Sequence, residues 1–361
     1  MAPDNDGFLY PQVDEHLCIN CGLCEKACPI IQTDSYQRTQ EPDIYAAYSK
    51  NEKVRLNSSS GGIFYHIAGS IINTGGAVFG AAFDENFKVI HRSIEKIEDL
   101  TLFQGSKYVQ SEIGNTYYEA KKMLDNGRVV LFSGTPCQIR GLYGYLGREY
   151  DNLYTQDLIC HGAPSPKIWK LYLEHRENKA ASKTRRTFFR HKKYGWKKFS
   201  VLFEYSNNTE YLCPVSEDAY MRGFLADLYL RQSCADCKAK GVVRESDITL
   251  ADFWSIEAVY PDMFDDKGVS LVLIHSEKGK RLFEEIDDYI VKRQTDKSTA
   301  IKYNHSIIDS VTPHKNRNKF FATVTANNFE KMIDIALKKS FIDKLKTKTK
   351  NALIKIKRLA K

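Results

Sequence analysis

No stretch of this 361-residue chain approaches the roughly 18 consecutive apolar side chains that a membrane-crossing helix needs. A transmembrane helix is therefore not expected. The N-terminus, Met1-Ala-Pro-Asp-Asn-Asp-Gly7, lacks the basic stretch followed by an apolar one that marks an export signal. That absence predicts a cytoplasmic protein. It also argues against a disulfide framework for the nine cysteines, so metal or redox use is the better reading. Internal repeats are absent, and low-complexity sequence does not occur before the C-terminal tail. Neither a G-x-G-x-x-G fingerprint nor a Walker loop is present, so no nucleotide is named by motif.

The apolar share is 42% and the aromatic share 12%, enough to bury proper cores in two domains and a small appendage. The net charge of +8 is unevenly placed. Residues 331–361 hold eleven Lys/Arg against Asp334 and Asp343, a local +9 that leaves the rest at −1. With Ile335, Leu337, Phe341, Ile342, Leu345, Leu353, Ile354, Ile356 and Leu359 interleaved, residues 326–361 read as a basic amphipathic tail. Such a tail suits peripheral contact with an anionic membrane, or else is a solvated terminal helix. No recognition module accompanies the charge, so nucleic acid is not the expected partner.

The strongest signal is Cys18-Ile-Asn-Cys21-Gly-Leu-Cys24-Glu-Lys-Ala-Cys28-Pro29, the C-x2-C-x2-C-x3-C-P spacing of bacterial ferredoxins. Three thiolates two residues apart wrap one corner of an iron–sulfur cube, and Pro29 stops the helix from continuing. A zinc knuckle usually brings two C-x2-C pairs with a long spacer. In two-cluster ferredoxins the fourth cysteine ligates the other cluster. Only one run is present here, so residues 1–40 read as a partial ferredoxin-like 4Fe-4S module and Cys28 is the least secure ligand. The residues before Cys18 read as the linker that usually joins two such runs.

Beyond the polar stretch ending in Glu41-Pro42, strand and helix patterns alternate. Strands are predicted at 44–49, 77–83, 128–132 and 153–160. Helices are predicted at 63–73, 112–125, to about Leu146, and from Ser165. Further on come strands at 187–190, 199–205, 248–253 and 270–275 with helices at 217–230 and 277–290. The pattern indicates a mixed α/β fold.

Four more cysteines stand in distinctive surroundings: Cys137 in S-G-T-P-C-Q, Cys160 in D-L-I-C-H-G, and Cys234 with Cys237 in S-C-A-D-C. Together they suffice for a second four-thiolate site, zinc or iron–sulfur, and buried structural thiols are the plainer alternative. Cys213 reads as a core thiol. Cys137 follows Pro136 at a predicted helix start, which would lower its pKa and suit a nucleophile with His161 as base, or equally a metal ligand. Two small-residue turns, Ser58-Ser59-Ser60-Gly61-Gly62 and Ser133-Gly134-Thr135, lie between predicted strands and helices. Free amides there can take phosphate oxygens, although each is also an ordinary N-cap.

Seven phrases occur in order: the Ser60-Gly-Gly62 turn, S-K-Y-V-Q-S at 106–111, F-S-G-T-P-C-Q-I at 132–139, D-L-I-C-H-G-A-P-S-P at 157–166, F-R-H-K-K-Y-G-W-K at 189–197, L-R-Q-S-C-A-D-C at 230–237 and D-I-T-L-A-D-F-W-S-I at 247–256. With them the chain resembles the coenzyme F-420 hydrogenase/dehydrogenase beta-subunit family over about residues 7–325. The resemblance implies a two-part flavin-binding α/β body, with an N-terminal region at 41–105 and a C-terminal region at 106–325. It implies an oxidoreductase with FAD, one iron–sulfur cluster in the body on Cys137, Cys160, Cys234 and Cys237, and often a ferredoxin module ahead of it. It makes Ser59, Ser60, Gly61, Gly62, Lys107, Tyr108, Ser133, Gly134 and Thr135 candidate FAD contacts. Arg190, Lys192 and Trp196 become candidates for the flavin or substrate face. His161, His191 and Tyr108 are the candidate catalytic residues. The implied partners are a redox protein, a ferredoxin or reductase, and an organic or deazaflavin substrate. Two departures stand out: the ferredoxin module is halved, and the phrase usually reading G-D-F-W-G is Ala251-Asp-Phe-Trp-Ser255.

Overall fold

The computed structural model describes residues 1–31 and 40–338. The chain opens with a two-strand hairpin, β1 (Ala2–Pro3) and β2 (Leu9–Tyr10), followed by the short helix α1 (Leu23–Ala27). The segment read as a linker is docked. Phe8 is 1% exposed and belongs to the core of the body, and the Asp6 carboxylate pairs with Arg317 at 2.8 Å.

The body is built on β3 (Asp43–Ser49), α2 (Glu52–Asn57), α3 (Ile63–Asn73), β4 (Ala77–Phe83), β5 (Val89–Ile94), α4 (Thr116–Asp125), β6 (Val130–Ser133), α5 (Pro136–Leu146) and β7 (Leu153–Leu158). Then follow α6 (Pro166–Ala180), β8 (Thr184–His191), β9 (Ser200–Tyr205), β10 (Glu210–Pro214), α7 (Ala219–Leu225), β11 (Ile248–Asp252), α8 (Ile256–Val259), β12 (Ser270–Ile274), α9 (Glu277–Glu284), β13 (Ile290–Thr295), α10 (Lys297–Tyr303), α11 (Arg317–Thr323) and α12 (Phe329–Leu337). The mixed α/β class expected from the alternation is what the chain adopts.

Eight strands form one sheet in the order β13-β3-β12-β11-β7-β6-β4-β5. Its centre, β11, β7, β6 and β4, is parallel, and antiparallel strands flank it. The centre is covered on both faces, so its strands are rich in apolar residues. In β6, Leu131 joins the core under α3 and α9, while Val130 and Phe132 pack beneath α4 and α5. The three-stranded antiparallel sheet β10-β9-β8 packs with α6, α7, α11 and α12 around Trp169, Tyr172, Phe203, Tyr220 and Phe329 as a second lobe.

The strands of the region 41–105 and β6–β7 of the region 106–325 share one sheet. Two expectations are corrected. The helix expected from Glu112 begins at Thr116, since Glu112 forms a bridge with Ile90 instead. The helix expected over 217–230 ends at Leu225, because Asp227 adopts a left-handed φ of 57° and turns the chain. The first residues of the basic tail also belong to the fold. Helix α12 buries Phe329, Ile333 and Ala336 in the second lobe, as its apolar stripe dictates. The rest of the tail, from residue 339, lies outside the described residues.

Candidate functional site

The register puts the carboxyl ends of β3, β4, β6, β7 and β11 on one edge of the main sheet. Open α/β sheets bind ligands outside the carboxyl ends of their strands. Ser133 at the end of β6, Cys137 at the start of α5 and Cys160 just beyond β7 lie at this edge.

Cys137 is the second residue of α5, just after β6. Thr135 and Gln138 close a capping box at that helix start. Cys160 lies two residues beyond β7. Cys234 and Cys237 sit on the 3-10 turn at Gln232–Asp236, which is anchored by the bridge between Leu230 and Pro164. These four thiols come together. Cys137 and Cys237 each raise the pKa of Cys160 and of Cys234, Cys234 acts on Cys160, and Cys237 acts on Cys137. The Ala163 amide donates to Cys234 Sγ at 3.4 Å, and Thr135 Oγ1 is 3.2 Å from Cys137 Sγ.

The lowered pKa expected for Cys137 is not found. Its surface is open to solvent on one side, but the dense protein around it desolvates the thiolate and neighbouring Cys237 adds to the rise. These outweigh the Thr135 hydrogen bond and Arg231. His161, expected as the base for Cys137, has its Nε2 2.7 Å from Asp227 Oδ1. Among the described residues no three or more His, Cys, Asp or Glu side chains are set to hold a single metal ion. One tetrahedral zinc would need its sulfurs about 3.8 Å apart. A four-iron cube takes one thiolate per iron and so spaces its four sulfurs on a wider tetrahedron.

Between the N-terminal cysteines, Asn20 (φ 53°) and Gly22 (φ 68°) both take left-handed backbone and curl the chain through Cys18, Cys21 and Cys24. Those three thiols are exposed and Cys28 is partly covered. Helix α1 rests on α5, so the two thiol sets flank one helix.

The Ser58–Gly62 turn leads into α3, whose N-cap Gly62 (φ 84°) supplies no side-chain cap. Ser59 Oγ accepts from the Ser106 amide at 2.6 Å, and Ser60 Oγ donates to the Val269 carbonyl at 2.8 Å. Lys192 Nζ donates to the carbonyls of Arg55, Ser60 and Lys267, and Lys107 Nζ to those of Leu102, Gln104 and Gly105. Burial pushes both lysines down to about 7. At the second turn, Ser133 Oγ donates to Gln156 Oε1 at 2.6 Å, and Gly134 packs on Gln138.

Asp252 ends β11 and organises the remaining candidates. It pairs bidentately with Arg190 and accepts from Trp196 Nε1 at 2.9 Å. Trp196 stacks on Trp254 at 5.2 Å, with the Arg190 guanidinium over the Trp254 ring. Arg190 also donates to the Tyr108 hydroxyl at 3.4 Å, and Tyr108 packs on Phe224, as does His161. His191 is elsewhere, beside Phe188, and the charges nearest its ring are Lys193, Glu204, Glu210 and Arg186. Sequence reasoning missed Asp227, Asp252 and Trp254. Asp252 and Trp254 lay inside one of the seven ordered phrases; Asp227 carried no local signal.

Residues 127–298 match the family model for the C-terminal region of the coenzyme F420 hydrogenase/dehydrogenase beta subunit. That stretch is a little under half of the chain, and over it the chain resembles the family. Residues 10–37 match a 4Fe-4S binding domain, which supports an iron–sulfur role for the chain. A chain in the xenon-derivatised F420-reducing NiFe hydrogenase complex from Methanosarcina barkeri shares the fold. It is 16% identical, with a TM-score of 0.51 over 80% of this chain and 93% of that one. No curated protein matches the sequence. Among the described residues, no helix is long and apolar enough to cross a membrane.

Ser255, after Trp254, holds a left-handed φ of 61° as the N-cap of α8, a conformation that glycine takes without strain.

Proposed function

We propose that this protein is a flavin- and iron–sulfur-dependent oxidoreductase. Single electrons would pass between a 4Fe-4S cluster on Cys18, Cys21, Cys24 and Cys28, a second on Cys137, Cys160, Cys234 and Cys237, and FAD at the carboxyl edge of the main sheet. The final donor or acceptor is an organic substrate or a deazaflavin coenzyme. The observation that carries this reading is the convergence of four thiols, from two strand ends and one C-x2-C turn, beside a helix that also supports the N-terminal run. Four thiols without a fifth donor suit a closed iron–sulfur site.

The flavin reading is supported by charge. Among the described residues no carboxylate offsets the burial of Lys107, and a diphosphate beside the open N-terminus of α3 would provide that counter-charge. When bound, FAD would supply the exchange between one-electron and hydride chemistry. The residues of this chain would do the rest. Asp252 holds Arg190 and Trp196 at one rim, the stacked Trp196 and Trp254 exclude water, and Asp227 orients the His161 ring as a proton carrier.

A second reading, an electron-transfer protein that docks to a partner reductase, is favoured by the N-terminal segment. Val13, Leu17, Ile19, Leu23, Ile30 and Ile31 are all more than half exposed there. The cytoplasmic location and the tail's contact with a membrane surface belong to the same proposal.

Anaerobic purification with iron, sulfide and flavin counts tests the reading. About four or eight irons per chain plus FAD is the expected result. A colourless protein that cannot be reconstituted would sink it.

A further inference from the structure

We infer that Arg231 joins the N-terminal strand to the body thiols: its guanidinium clamps that strand to the body, and its charge raises the reduction potential of the cluster on Cys137, Cys160, Cys234 and Cys237. The inference rests on the iron–sulfur part of the reading above.

Arg231 stands between the two. On one side its guanidinium donates to the Leu9 carbonyl at 3.0 Å and lies 4.0 Å above the Tyr10 ring, with Phe8 at 5.7 Å. Gln110 Oε1, at 3.4 Å, steadies the same nitrogen. On the other side its own carbonyl accepts from the Cys234 amide at 3.0 Å, and its amide donates to the Ala163 carbonyl at 2.9 Å. The backbone of Arg231 thus shapes the turn that presents Cys234. Ala163, which accepts from the Arg231 amide, donates its own amide to Cys234 Sγ at 3.4 Å, so Arg231 borders that thiol on both sides of the turn.

Lys240 is the other cation at these thiols. Its Nζ donates to the carbonyls of Cys160 and Ser306. Neither of these hydrogen bonds reaches the N-terminal strand. Arg317 shares the clamp, pairing with Asp6 and donating to the Leu230 carbonyl, while Arg231 is the residue whose own backbone holds the Cys234 turn.

Reduction adds one electron and no proton to a cluster, making it one unit more negative. A fixed cation nearby stabilises the reduced state more than the oxidised one. Arginine suits the position because one planar group can donate to a carbonyl and cover a tyrosine ring while never losing its charge.

The test uses full-length protein, reconstituted anaerobically, as wild type, R231Q and R231K. Each cluster is titrated reductively and followed by electron paramagnetic resonance, and residues 1–31 are probed by limited proteolysis of the apoprotein. R231Q is expected to lower the reduction equilibrium of the body cluster about tenfold, about 59 mV for one electron. The N-terminal cluster should shift much less, and the N-terminal segment should be cleaved faster. R231K should keep the potential close to wild type while still loosening the segment.

An R231Q protein that holds both clusters at wild-type potentials overturns the inference and leaves the electron-chain reading standing. If R231Q takes up no iron, apoprotein digestion decides, and equal cleavage of wild type, R231Q and R231K removes the clamp. If replacing Cys18 and Cys21 strips all iron from the otherwise wild-type chain, there is no body cluster, and the reading and the inference fall together.

Discussion

The Ala27 carbonyl oxygen lies 2.5 Å from where a β-carbon on Gly144 would stand, so helix α1 touches α5 at a point that admits no side chain. Gly144 is seven residues along α5 from Cys137, about 10 Å of helix rise, and Ala27 is bonded to Cys28. Gly144→Ala would otherwise favour the helix, but here it overpacks a backbone contact, typically by about 1–3 kcal/mol. Faster proteolysis of residues 1–31 with an unchanged circular dichroism signal from the body is the expected outcome. Unchanged cleavage would show that α1 does not rest on α5 in solution.

Replacing Cys137, Cys160, Cys234 or Cys237 by Ser, one at a time, should remove the body cluster and leave the iron on the N-terminal run. Iron should fall by about half in each variant of a two-cluster protein. A full iron content in all four variants would mean that these thiols are structural.

Asp252→Asn should cost about 3–5 kcal/mol of stability, because the Arg190 side chain is only 3% exposed and would keep its charge without a partner. Equilibrium unfolding in urea measures the loss. A change under about 1 kcal/mol would mean that water reaches Arg190.

Binding of FAD should take up protons near pH 8. Burial pushes Lys107 down to about 7, so at pH 8 the free protein holds it mostly neutral. A diphosphate alongside restores the charged form. The uptake should vanish below about pH 6, where Lys107 is already charged. In the apoprotein the sign is fixed too. Between about pH 7 and pH 10 the unfolded chain binds the proton and the folded chain does not, so this residue's contribution to stability rises with pH. Calorimetry in buffers of different ionisation enthalpy reads the uptake, and identical heats at pH 8 would remove Lys107 from the flavin site.

Ser255→Gly should stabilise the protein slightly, by roughly 0.5–1 kcal/mol, since it relieves a left-handed non-glycine residue at the start of α8. A lower melting temperature would show that the Ser255 side chain makes a compensating contact.

Local pattern made much of the main sheet legible. The helix at 63–73 and the strand at 77–83 are bracketed by Gly62 and Gly75-Gly76, and both appear where the sequence put them. The cysteine spacing pointed to a 4Fe-4S module before any fold was known. What stayed hidden was made by distant pairs. His161 finds Asp227 across 66 positions and Arg190 finds Asp252 across 62, and no window of sequence contains either pair. The N-terminal segment looked like a linker because Asp4-Asn-Asp-Gly7 is polar, yet its one phenylalanine is seated among residues of β5 and α6. The helix at 329–337 lies in the stretch read as an amphipathic tail, but its seat in the second lobe was hidden by the lysines beyond it.

The seat of Phe8 has a consequence for how the protein is made. Leu9 leaves the ribosome 222 residues before Arg231, the side chain that will hold its carbonyl. At about 5–20 residues per second the strand ahead of the N-terminal cysteines therefore spends roughly 10–45 s without its clamp. Metal delivered early would meet a bare loop, and metal delivered late would meet a finished socket. Biogenesis of the holoprotein is thus a question of timing, and assembly after translation is the order the architecture favours.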